Sequence, residues 1–93
     1  MTYLYTMTVA RIFEALGEPS RRQIVAFLAA GESPVADIAS QFNASGPAVS
    51  QHLKVLREAG LVSVRKEGRR RIYALRPAAL VEAASWLVGM TGG

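Results

Sequence analysis

The 93-residue chain has no cysteine, which rules out disulfides, thiolate metal sites and thiol redox chemistry. It has a single histidine and a single tryptophan. No apolar run approaches the ~20 residues needed to span a bilayer. The N-terminal MTYLYTMTVARIF lacks the basic stretch and following apolar core of a signal peptide. The expected location is therefore the cytoplasm. A serine–histidine–acid set, a phosphate-cradling glycine loop and paired carboxylates are all missing, so the chain does not read as an enzyme. No cofactor is expected.

What is present is an apolar chain with unevenly placed charge. Hydrophobic residues make up 51% and charged residues 19%, too apolar for disorder. The length fits one domain over residues 1–93, small enough that a second subunit would help to cover its core. The formal charge of +4 is concentrated. Between positions 54 and 76, Lys54, Arg57, Arg65, Lys66, Arg69, Arg70, Arg71 and Arg76 are opposed only by Glu58 and Glu67. A patch of this kind suits a polyanion, whereas solubility alone would call for dispersed charge.

Periodicity divides the chain into helices and one hairpin. Val9, Ile12, Phe13 and Leu16 recur at helical spacing, predicting a helix from about Thr8 that stops at Gly17. Pro19 suits the first turn of a second helix carrying Ile24, Val25 and Leu28 and ending near Gly31. Ser33 reads as the N-cap, and Pro34 as the first residue, of a third helix reaching Phe42. After the turn Asn43-Ala44-Ser45-Gly46, Ser45 caps a fourth helix that buries Val49, Leu53 and Leu56 and ends at Gly60. The period then becomes alternating. Val62 and Val64 share one face of a strand; Ile72 and Ala74, or Tyr73 and Leu75, share a face of the next; and Glu67-Gly68 forms the turn. Pro77 opens a last helix to about Val88, and the terminal Thr91-Gly92-Gly93 is expected to fray.

The predicted fold is mainly α with a β-hairpin wing: a winged helix-turn-helix in the order α-α-α-α-β-β-α. In such a fold the start of the fourth helix enters the major groove. The face left outside its core stripe carries Ser45, Gly46, Pro47, Ala48, Ser50, Gln51, His52 and Lys54. Gln51 can pair bidentately with adenine, Ser50 can donate or accept, and Ala48 can touch a thymine methyl. Lys54 and Arg57 are placed for phosphates, as are Arg65, Lys66, Arg69, Arg70 and Arg71 of the wing. His52 is read as a helix-surface residue or phosphate contact, since no metal or catalytic partners accompany it. Arg21 is read as structural, because its spacing with Ile24, Val25 and Leu28 brings its stem towards the core.

The run from Phe13 to Trp86 closely resembles ArsR-type winged-helix repressors, through FEALGEPSRRQIVAFL, PAVSQHLKVLREAGLV and RKEGRRRIYAL. The resemblance implies a homodimer that binds operator DNA, blocks transcription and is released by an effector, with the fourth helix as recognition helix and the hairpin as wing. It also implies a bacterial or archaeal protein working on the nucleoid. Metal-sensing relatives carry a Cys-x-Cys pair where this chain has Pro34-Val35-Ala36 ahead of Asp37, and others use Asp and His residues on the last helix, where this chain has only Glu82 and Ser85 as polar side chains. No metal site is expected. Relatives also usually place Asp where this chain has Glu18, a poorer N-cap that makes the start of the second helix less secure.

The last helix, AALVEAASWLVGM, is apolar nearly all round, which calls for burial on two sides. The terminal helices, about 3–16 and 77–90, are the expected dimer contact. Its candidates are Tyr3, Leu4, Tyr5, Val9, Ile12, Phe13, Leu80, Ala83, Ala84, Leu87 and Val88. The expected partners are double-stranded DNA and a second copy, with no membrane. A small-molecule effector and control by the protein's own concentration both stay open. Two other readings of the residues are a winged-helix protein-interaction module and a non-specific architectural DNA binder.

Overall fold

Hydrogen-bonding side chains cap the starts of three of the five helices. The computed structural model describes residues 5–92 and contains five helices and a three-stranded sheet. Helix α1 (Met7–Leu16) starts where the Thr6 hydroxyl accepts from the Val9 amide at 3.1 Å. Its last carbonyls are taken up by basic side chains: Arg21 Nε donates to Ala15 O and Arg22 to Leu16 O, each at 2.7 Å. Carbonyls left over at a helix C-terminus favour such cations. Arg21 and Arg22 therefore tie α1 to α2 (Pro19–Ala29) and are structural residues. Despite being a poor cap by type, Glu18 accepts from the Arg21 amide at 3.1 Å and closes the first turn of α2.

The third helix begins later than the sequence suggests. Ser33–Pro34 is not a helix start but a short edge strand, β1, and α3 spans Val35–Gln41 with no side-chain cap. β1 pairs antiparallel with the later strand β3 (Arg70–Leu75), Ser33 opposite Tyr73 and Pro34 opposite Ile72. An edge position tolerates proline, which has no N–H to give to a ladder. The pairing partner lies some forty residues away in sequence, so local signals favoured the cap.

Two similar stops then aim the following elements. After α3, Asn43 adopts φ 49°, and the Ala44 amide reaches back to Ala39 O at 3.2 Å. After α4 (Gly46–Glu58), Gly60 adopts φ 80°, its amide bonds Arg57 O at 3.0 Å, and the Leu61 amide bonds Leu56 O at 2.9 Å. Both are Schellman endings, with a left-handed residue just past the helix and a hydrogen bond wrapping the last turn. The second is reinforced because Leu56 and Leu61 are both fully buried. Asn43 thus makes the turn between α3 and α4, and Gly60 directs the chain from α4 into the hairpin.

The hairpin pairs β2 (Val62–Glu67) with β3 from Val62 opposite Leu75 to Glu67 opposite Arg70. Its two-residue turn is Gly68-Arg69, one position beyond the expected Glu67-Gly68. Gly68 takes φ 62°, the positive angle that the first turn residue needs to match strand twist. The order β1-β3-β2 places β3 in the centre. Directly opposed residues share a face, so Val62, Val64, Tyr73 and Leu75 form the inward side, all within or against the core. Of the two pairings open from sequence, Tyr73 with Leu75 is the inward one; Ile72 is buried on the other face.

The core joins Ile24 and Leu28 of α2, Ile38 of α3, and Val49, Leu53 and Leu56 of α4. Helix α5 (Pro77–Gly89) packs against α1 and contributes Ala79 and Ala83. Around Trp86, the rings of Tyr5 and Phe13 lie edge-on with centroids at 5.0 and 5.6 Å, a favourable aromatic arrangement.

Candidate nucleic-acid interface

Helix α4 uses one stripe for the core and leaves the opposite face open. Val49, Leu53 and Leu56 are at most 1% exposed, while Gly46, Pro47, Ala48, Ser50, Gln51, Lys54 and Arg57 are exposed. The Ser45 hydroxyl accepts from the Ala48 amide at 3.2 Å, so its side chain caps the helix. Gly46, Pro47 and Ala48 follow in the first turn, leaving Ser50 and Gln51 as the forward polar side chains.

His52 departs from the expected surface role. It is half-buried and turned towards the N-terminus of α2, with Nδ1 at 4.0 Å from Glu18 Oε2. That nitrogen is shielded from solvent and has no hydrogen bond. His52 thus faces the residue that caps α2, which removes it from the open face of α4.

The hairpin register divides the wing cations into two sets. Lys66 lies opposite Arg71, on the face shared with Val64 and Tyr73. Arg65 and Arg70 lie on the other face with Ile72, and Arg69 occupies the turn. The contiguous run of arginines at 69–71 is therefore three different placements.

Arg65 is the wing cation already committed to carboxylates. It donates to both oxygens of Glu32, at 2.5 and 2.8 Å, and to Glu67 at 3.0 Å. Hydrogen bonding to Arg65 holds the Glu32 carboxyl below its ordinary value, and the same bonds raise the guanidinium further out of reach of titration. The groups are exposed, so the pair adds little stability. Its bidentate geometry fixes position instead, tethering β2 to the segment before β1. Sequence reasoning missed Glu32, because nothing local connects residues 32 and 65.

Between α4 and the wing lies a notch of about 220 Å³ lined by Val35, Ser50, Lys54, Arg57, Arg71 and Tyr73. None of its cations makes an ion pair among the described residues, which distinguishes them from Arg65. Val35 and Tyr73 were not anticipated at this interface.

The expected subunit contact needs correction at several positions. Val9, Ile12 and Ala83 are buried in their own chain and have no surface to offer a partner. Tyr3 and Leu4 lie outside the described residues. Phe13 and Leu80 are half-buried, whereas Tyr5, Ala84, Leu87 and Val88 are exposed. Val81, absent from the expected set, is 64% exposed, alongside Leu87 at 51% and Val88 at 57%. Its spacing to Ala84 and Val88, i, i+3 and i+7, is the signal that would have found it.

Comparison with known proteins agrees with this arrangement. Residues 18–64 match the family model of bacterial regulatory proteins of the arsR family. The chain is 34% identical to the transcriptional repressor SdpR of Bacillus subtilis, over 83% of this chain and 86% of that protein. It is 42% identical to the HTH-type transcriptional regulator Rv2034 of Mycobacterium tuberculosis, over 88% and 81%. A solution structure of the homodimeric winged helix-turn-helix DNA-binding domain Mb0332 from Mycobacterium bovis superposes with a TM-score of 0.75 at 35% identity, covering 87% of this chain and 77% of that one.

Proposed function

The chain belongs to the ArsR family of bacterial regulatory proteins, and from that premise we propose that it is a homodimeric, sequence-specific repressor that binds an inverted-repeat operator without a metal signal. The observation that carries this reading is the open face of α4, with Ser50 and Gln51 exposed beside a wing whose cations, Arg65 apart, lack carboxylate partners among the described residues. Lys54, Arg57 and the wing supply affinity by neutralising phosphates, and Gln51 supplies sequence preference.

Dimerisation is supported by the apolar surface of α5 and by the homodimeric relative from M. bovis. A two-fold pair sets two α4 helices about one DNA turn apart, ~34 Å, so that the preferred site is an inverted repeat. Independence from metal is supported by the absence of cysteine and by the single carboxylate, Glu82, on α5. Among the described residues no helix is long and apolar enough to cross a membrane. In this reading the protein works in the cytoplasm, on the nucleoid, and performs no catalysis.

Titration against a random-sequence duplex at low salt, followed by selection of sites from a random pool, tests the proposal. Binding to any duplex with a steep salt dependence is expected first, and enrichment of an inverted repeat second. Absence of all DNA binding would leave a protein-interaction module; binding without enrichment would leave an architectural role.

A further inference from the structure

The notch between α4 and β3 gathers Lys54 and Arg57 from the helix and Arg71 from the wing around one small opening, with Ser50 at its rim. Lys54 and Arg57 stand three residues apart on one helical face, where like charges repel. Arg71 is brought to them by a different element. The chain supplies carboxylates to Arg65 of the same hairpin as Arg71, yet among the described residues it supplies none to the notch cations. An anion seated there would relieve the repulsion and accept charge-assisted hydrogen bonds from both elements. Val35 and Tyr73 complete the lining, and the volume of about 220 Å³ suits a compact group.

We propose that this notch is a discrete site for a single phosphate of the DNA backbone, held jointly by Lys54, Arg57 and Arg71, with Ser50 as a hydroxyl donor to the same phosphate. The proposal rests on the DNA-binding reading and deepens it. It reassigns Ser50 from base reading to phosphate binding and leaves Gln51 as the principal reader of α4. It also makes one phosphate the bridge between recognition helix and wing, so that seating it fixes the angle at which Gln51 meets the base edges. Arg70, on the opposite face of the hairpin, lies outside the site.

The test is the salt dependence of affinity for a random-sequence duplex, comparing the wild-type protein with the triple variant Lys54→Gln, Arg57→Gln, Arg71→Gln. Thermal unfolding verifies that the variant, altered only at exposed positions, keeps its fold. Three cations on one phosphate lower the log–log salt slope by about 0.9 per subunit when all are removed, whereas three separate contacts lower it by about 2.7. A fall near the larger value, or no fall, overturns the shared site while leaving DNA binding intact. Failure of the wild-type protein to bind any duplex overturns the DNA reading itself, and the notch with it. Ser50→Ala supplies the second measurement: it should weaken binding to all sequences alike, and a changed base preference in site selection would return Ser50 to base reading.

Discussion

Helices α4 and α5 have the same length, thirteen residues, and each carries proline in its first turn, yet they treat their outer faces in opposite ways. The outer face of α4 offers Ser50, Gln51, Lys54 and Arg57, while that of α5 offers Val81, Ala84, Leu87 and Val88. A polar, cationic face is stable in water and gains from meeting a polyanion. An apolar face of this size gains only by leaving water. In the proposed reading the same helical scaffold therefore suits two kinds of partner, with the outward residues selecting which.

The largest effect should come from breaking what both helices share. Leu53→Ala removes a fully buried side chain beneath α4 and should cost about 2–5 kcal/mol, read by urea denaturation, with DNA binding and self-association lost together. Val81→Glu with Val88→Glu should separate the two surfaces. Both residues are more than half exposed, so the monomer fold survives, while a carboxylate forced into the subunit contact should weaken dimerisation at least about tenfold in analytical ultracentrifugation. A variant that stays fully dimeric would place the contact elsewhere.

Gln51→Ala acts on α4 alone. It should relax preference at one operator position by about 1–3 kcal/mol, measured as the affinity ratio between selected and altered sites, with the dimer unchanged. Gly60→Ala acts on the junction between α4 and the wing. At φ 80° an added Cβ meets no neighbouring atom, so its cost is the strained backbone, about 1 kcal/mol, visible as a lowered urea midpoint.

The smallest effect concerns the tether of the wing. Because Arg65 lowers the Glu32 carboxyl in the folded chain, the stabilisation is complete above the ordinary value of 4.5 and fades as pH falls through the lowered folded value. Glu32→Gln should thus lower the neutral-pH urea midpoint slightly and flatten the pH dependence of stability below 4.5 by the same small amount, so that variant and wild type converge at acid pH. An unaltered acid profile would show that the pair does not persist in solution.

The legible parts of the molecule are those whose signals lie within a few residues. The stripe Val49, Leu53 and Leu56, the Ser45 cap, the stop at Gly60 and the positive φ of Gly68 follow from spacing and residue type. So did the open face of α4, which is what remains once that stripe is buried. The failures share a different cause. Ser33 looked like a cap because its partner Tyr73 is remote, and His52 looked exposed because the approach of α2 to α4 has no local signature. Val9 and Ile12 looked available to a second subunit because helical spacing identifies an apolar face without saying what covers it.

By itself, then, the sequence determined the five helices and the hairpin, the concentration of positive charge and the polar face of the fourth helix, since each depends on side-chain order along one segment. The tertiary structure alone decided which cations lie together. Strand register sent Arg71 towards Lys54 and Arg57, sent Arg70 to the opposite face and gave Arg65 to Glu32. Charge is a property of composition, but the field that a phosphate meets depends on distances between elements, and those are set only when the chain packs.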